Sequence, residues 1–123
     1  MNPSLKPAPI LFVDDSPVAR LAVQRRLTEY GLAAVILASA AEAASVTGCA
    51  FAAALLDIEL GDGFGTDLAA RLRAEAPALP IAFLTAGGPA PQLADAAHLG
   101  PVFSKTSELE DAVRWVAEAA RRG

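Results

Sequence analysis

Cysteine, histidine and aromatic residues are scarce in this chain. It has one cysteine, Cys49, one histidine, His98, and only 6% aromatic residues among 123. A lone cysteine forms no internal disulfide and reads as a small buried apolar residue, which fits a reducing compartment. Without a His/Cys cluster there is no zinc site of the usual donor set. No apolar run approaches the ~18 residues needed to cross a bilayer, and MNPSLKPAP at the start has no signal-peptide core. The expected setting is cytoplasmic, with no membrane partner. Positive charge is also short: ten Lys and Arg against fourteen Asp and Glu give a net charge of −4. That argues against direct nucleic-acid binding.

Apolar residues are plentiful, at 54% of the chain with 20% charged, enough for one domain with a buried core. Residues 1–9 hold three prolines and no periodic pattern and read as a flexible lead-in, with the domain occupying 10–123. Five short apolar runs follow, at ILFV (10–13), AAVILAS (33–39), FAAALLD (51–57), PIAFLTA (80–86) and PVFSK (101–105). Helical segments separate them. The first runs from an N-cap at Ser16 and Pro17 to Gly31, and the next covers 40–48. The others are 66–75, 92–99 and a last helix opened by a Ser107/Glu110 capping box, with Leu109, Ala112, Val113, Val116 and Ala120 in its apolar stripe. Trp115 lies off that stripe, and His98 reads as surface. Strands that are apolar without alternation are buried on both faces, so the expected architecture is a parallel sheet between helix layers.

Ligands bind beyond the carboxyl ends of such strands. Those ends carry Asp14 and Asp15, then Ser39, Asp57, Thr85 and Lys105. In the common strand order 2-1-3-4-5, strands 1 and 3 are neighbours, so Asp14 or Asp15 comes within about 4.8 Å of Asp57. Thr85 and Lys105 follow on the next two strands. Clustered carboxylates repel unless they share protons or a hard cation, and oxygen donors suit Mg²⁺. With a hydroxyl and an ammonium added, the set describes a phosphoryl-transfer site in which Asp57 is the accepting nucleophile.

FVDDS, ALLDIEL, FLTA and VFSK, in this order and spacing, resemble the receiver domain of two-component response regulators, a chemotaxis-regulator-like, flavodoxin-like (βα)5 fold. The resemblance covers nearly the whole chain. It implies that Asp57 takes a phosphoryl group from a sensor histidine kinase or histidine phosphotransfer protein. It implies Mg²⁺ held by Asp15, Asp14, Asp57 and the main-chain carbonyl of Glu59, with Thr85 and Lys105 contacting the phosphoryl oxygens. It implies no enzyme beyond self-phosphorylation and slow autodephosphorylation. The output is expected to be a protein contact with a downstream target, through the last helix of a stand-alone receiver, with a homodimer as a further option. The alternative is a pseudo-receiver, an interaction module independent of phosphorylation.

The chain departs from the family at four places. Thr106 follows Lys105 where the family has a proline after a cis bond, so a trans bond is expected here. Val102 stands where the family has its switch aromatic, and Phe103 beside it should face the other way, since strand side chains alternate. The approach to the last strand, from Gly100 to Lys105, is short. Glu59 and Gly87 occupy the positions that vary with phosphoryl lifetime in the family.

Overall fold

A computed structural model describes residues 7–87 and 90–122. The first six residues of the proline-rich lead-in, and residues 88–89, lie outside the described residues. Five strands alternate with helices: β1 (Ile10–Val13), α1 (Pro17–Glu29), β2 (Ala34–Leu37), α2 (Ala40–Ala43), β3 (Ala53–Asp57), α3 (Gly65–Glu75), β4 (Ile81–Thr85), α4 (Ala90–Leu99), β5 (Val102–Ser104) and α5 (Leu109–Arg122). All pairings are parallel, in the order β2-β1-β3-β4-β5. The expected doubly wound sandwich is therefore the observed one.

Alternation along each strand divides the core in two. Ile10, Phe12, Leu55 and Leu84 pack with Val23 and Leu27 of α1 and Val113 and Val116 of α5. Leu11, Val13, Leu56 and Phe83 face the opposite way, onto Leu68, Ala69 and Leu72 of α3 and Ala96 of α4. Strands β1, β3 and β4 are sealed on both faces, which explains their unbroken apolar sequence. The edge strand β2 is half-buried throughout.

Local chemistry sets most of the helix limits. Ser16 caps α1 by accepting the Ala19 N–H at 3.2 Å, and Gly31 follows the helix with a φ of 74°. Two expectations need correction. The helix expected over 40–48 ends at Ala43, and a short 3₁₀ turn, Gly48–Ala50, follows. The reason is tertiary: Arg71 of α3 donates to the carbonyls of Ala43 (2.7 Å) and Val46 (2.9 Å), satisfying acceptors a longer helix would use. The Ser107/Glu110 capping box does not form, because α5 begins at Leu109. Glu108 turns back to accept the Ser104 N–H at 2.8 Å, and Glu110 pairs with Arg26 of α1. Strands β2 to β5 are each two or three residues shorter than their apolar runs. Trp115 is partly buried against the α1/α5 layer, and His98 is exposed. Cys49, expected to be buried, is instead exposed on the 3₁₀ turn, where its thiol donates to the Glu75 carbonyl at 3.3 Å.

Candidate functional site

Register brings the polar strand ends together. β1 pairs with β3 so that Val13 lies opposite Leu56, which puts Asp14 beside Asp57. Asp14 is fully buried and Asp57 is 5% exposed, whereas Asp15 is open to solvent. One carboxylate oxygen from each of the three lies within 4.8 Å of the others. Lys105, one residue past β5, reaches into this cluster. Its Nζ stands 2.9 Å from Asp14 Oδ2 and 3.0 Å from Asp57 Oδ2. The backbone holds it in place, since the Lys105 N–H donates to the Thr85 carbonyl at 2.8 Å. Among the described residues no peptide bond is cis, so the Lys105–Thr106 bond is trans, as expected.

The remaining candidates border the same cleft of about 280 Å³, which Asp15, Asp57, Glu59, Gly61, Thr85 and Lys105 line. The Glu59 N–H donates to Asp57 Oδ1 at 3.3 Å, so this amide faces the acceptor carboxylate. Thr85 Oγ1 accepts the Gly87 N–H at 2.9 Å, and Gly87 takes a φ of 103°. With its oxygen already accepting, the Thr85 hydroxyl has its own proton to give. Gly65 explains how α3 can start so close to the site. A Cβ there would lie 2.1 Å from the Asp57 carbonyl oxygen, so only glycine permits the approach. Five of the six candidates, Asp15, Asp57, Glu59, Thr85 and Lys105, thus line one cleft, and Asp14 is buried against Lys105 beside it.

Electrostatics mark Asp57 out. Burial pushes its carboxyl from 3.8 up to about 6, and the charge of Asp14 adds to this. The hydrogen bond and charge of Lys105 and the Glu59 amide pull the other way without cancelling it. Burial alone would lower Lys105. Its hydrogen bonds to Asp14 and Asp57 and their charges outweigh that and hold it above the usual lysine range. One ammonium therefore serves two carboxylates and leaves their repulsion incompletely relieved.

The donor set suits a hard cation. Asp14 Oδ2 is a buried oxygen whose partner is the Lys105 ammonium, 2.9 Å away, which Asp57 shares. A buried carboxylate with only a shared counter-charge gains from a further cation. Three clustered carboxylates, with Asp15 and Asp57 lining the cleft and Asp14 buried, are the hard oxygen ligands that Mg²⁺ takes. The residues present fit the ion.

Sequence reading passed over one polar contact here. Arg20 of α1 donates from Nη1 to the Asp14 carbonyl at 2.9 Å and so fixes the turn that aims Asp14. Its only trace in the sequence is its place one turn into the helix. Val102 packs with the α3/α4 layer and Phe103 with the α1/α5 layer, so Phe103 does face away from the family's aromatic position.

Comparisons with known proteins agree with this fold. A family model, the response regulator receiver domain, matches residues 10–117. Among solved structures, the non-phosphorylated HemR receiver domain from Leptospira biflexa is 28% identical, with a TM-score of 0.76, covering 91% of this chain and 94% of its own. The signal receiver domain of an HD domain-containing protein from Pseudomonas fluorescens Pf-5 is 23% identical, with a TM-score of 0.76, covering 96% of this chain and 100% of its own. A CheY-like receiver domain protein from Methanospirillum hungatei JF-1 is 22% identical, with the same TM-score and coverage. The last two speak for the fold alone. A search of curated proteins gave no match. Among the described residues no helix is long and apolar enough to cross a membrane.

Proposed function

The chain belongs to the response regulator receiver domain family, a signalling family of two-component systems, and from that premise we propose that it is a phosphorylation-dependent switch. In this reading Asp57 takes a phosphoryl group from a phosphohistidine on a sensor histidine kinase or histidine phosphotransfer protein. The observation that carries the reading is the convergence of Lys105 Nζ on both Asp14 and Asp57, at 2.9 and 3.0 Å, inside an acidic cluster. A lysine that merely closed a strand end would need no such pair.

The chemistry follows from the residues. An Asp57 oxygen attacks phosphorus, an O–P bond forms, and the electron pair of the breaking P–N bond stays on the donor imidazole. The nucleophile must be ionised, and a carboxyl titrating at about 6 is mostly so at neutral pH. Lys105 follows the charge from the carboxylate to the phosphoryl oxygens, as a flexible ammonium can. The Thr85 hydroxyl donates to the same group. Asp14, Asp15, Asp57 and the Glu59 carbonyl would hold Mg²⁺, which when bound draws charge off the phosphoryl oxygens and offsets the carboxylate repulsion. Added charge at Asp57 then biases the backbone at 85–87 between two arrangements, and a downstream protein reads the result.

The test is labelling by acetyl phosphate, a small phosphodonor. The wild type is expected to label only with Mg²⁺ present, and Asp57→Asn not at all. Equal labelling of the variant sinks the assignment. A second reading, the phosphorylation-independent module, draws on Val102 in place of the family's aromatic, with Phe103 turned away. It predicts neither label nor Mg²⁺ affinity.

A further inference from the structure

The loop after β3 makes a polar contact that none of this chemistry uses. Residues 58–65 form a small hairpin: the Leu60 N–H donates to Gly63 O at 2.9 Å and the Gly65 N–H to Ile58 O at 2.8 Å. Glu59 faces Phe64 across an antiparallel bridge. At the tip, next to Gly61, Asp62 reaches across to α2. Its Oδ1 accepts the Ala40 N–H at 2.9 Å and its Oδ2 the Ala41 N–H at 3.0 Å. Amides in a first helical turn have no acceptor within their own helix, and a carboxylate is a strong one. The two amides, Ala40 first, hold the Asp62 carboxyl below the usual carboxylate range. Gly63 makes the approach close. A Cβ there would lie 3.1 Å from the Ala40 methyl, so two adjacent residues of one turn are fitted to the same corner.

We propose that Asp62 is a positioning residue for the cation site, fastening the hairpin that carries the Glu59 carbonyl to the β2–α2 corner. The inference rests on the reading of that carbonyl and the three aspartates as Mg²⁺ ligands. Mg²⁺ demands near-octahedral geometry, so the Glu59 carbonyl must be placed closely. Ile58 and Leu60 on either side of it are buried in the core and seat the base of the hairpin, while its tip at Gly61 and Asp62 is exposed and is tied down by the Asp62 contacts. Linkage is reciprocal, so cation binding tightens the contacts at Ala40 and Ala41 by the factor that those contacts tighten the cation.

The test measures Mg²⁺ affinity by calorimetry and amide exchange by NMR, with and without Mg²⁺, in wild type, Asp62→Asn and Asp62→Ala. Asp62→Ala is expected to bind Mg²⁺ about tenfold more weakly, at the low end for groups that orient metal ligands. Exchange at Leu60 and Gly65, as well as at Ala40 and Ala41, should speed up and stop responding to Mg²⁺. Asn keeps one acceptor oxygen and should fall between. Wild-type affinity in Asp62→Ala overturns the proposal, even if Ala40 and Ala41 exchange faster, because Asp62 is then only a helix cap. If the wild type binds Mg²⁺ and Asp62→Ala does not differ, the site reading survives and this inference falls. If the wild type binds none, both fall.

Discussion

The two ends of the sheet are bordered by the same buried strands and yet are chemically opposite. The carboxyl end holds Asp15, Asp57, Thr85 and Lys105 around a cleft of about 280 Å³, with Asp14 buried in the same acidic cluster. The amino end holds a larger hollow, about 550 Å³, lined by Leu32, Phe51, Leu79, Pro80 and other small or apolar residues. Size therefore does not pick out the functional end. Among the described residues, the larger hollow has no titratable side chain but that of Cys49. At the smaller one, charge is concentrated where the strands can bury it only at a cost. One end is stabilised by apolar contact, and the other holds carboxylates whose mutual repulsion a cation would relieve.

Removing Lys105 should sharpen this contrast most. Lys105→Met leaves Asp14 and Asp57 buried without their shared cation, a loss of about 3–5 kcal/mol at neutral pH. Urea unfolding should show the loss in metal-free buffer, with part of it recovered on adding Mg²⁺. No recovery would mean that the carboxylates do not hold the ion.

Asp57 should give an effect of opposite sign. Its folded value of about 6 exceeds the ordinary 3.8, so the folded state holds that proton more tightly than the unfolded chain does. The associated stability is fully present below 3.8 and is lost as pH rises through about 6. Above that pH the ionised folded form is penalised on the order of 3 kcal/mol. Asp57→Asn should therefore be more stable than wild type at pH 7 without divalent ions. The gain should vanish near pH 4. A variant less stable at pH 7 would show that the Lys105 pairing outweighs burial.

Leu79→Ala tests the apolar end. Leu79 is 4% exposed and borders an open hollow that can relax, so a loss of about 2–3 kcal/mol is expected. The loss should respond neither to Mg²⁺ nor to pH between 4 and 7. A Mg²⁺ response would tie the two ends together and break the comparison.

The contrast also explains what was legible in the sequence. ILFV, AALL and IAFL are apolar without alternation because helices cover both faces of those strands. The first polar residue after each run therefore stood out, at Asp14, Asp57 and Thr85. Strand order completed the site, and the family resemblance gave the order independent support. What failed to show depended on partners distant in sequence. The end of α2 is set by Arg71, and the start of α5 by Glu108 turning back to Ser104 while Glu110 pairs with Arg26. The unequal burial of Asp14 and Asp15 was also hidden, since adjacent aspartates look alike until the pleat turns one inward.

The smallest predicted effect separates the two ends at constant local cost. Gly31 and Gly61 have φ of 74° and 84°, and neither would place a Cβ in a clash. Gly31 leads into the amino end beside Leu32, whereas Gly61 lies in the hairpin at the carboxyl end, 3.5 Å from Asp15 Oδ2 when a Cβ is added. Alanine in this backbone region costs about 1 kcal/mol at either position, because the strain is local. Thermal unfolding should therefore rank Gly31→Ala and Gly61→Ala together. Mg²⁺ titration should not: only Gly61→Ala is expected to weaken binding, because its backbone can relax by shifting the Glu59 carbonyl. Equal affinities in the two variants would mean that the hairpin tolerates strain at its tip without moving that carbonyl. The polar end would then be as rigid as the apolar one.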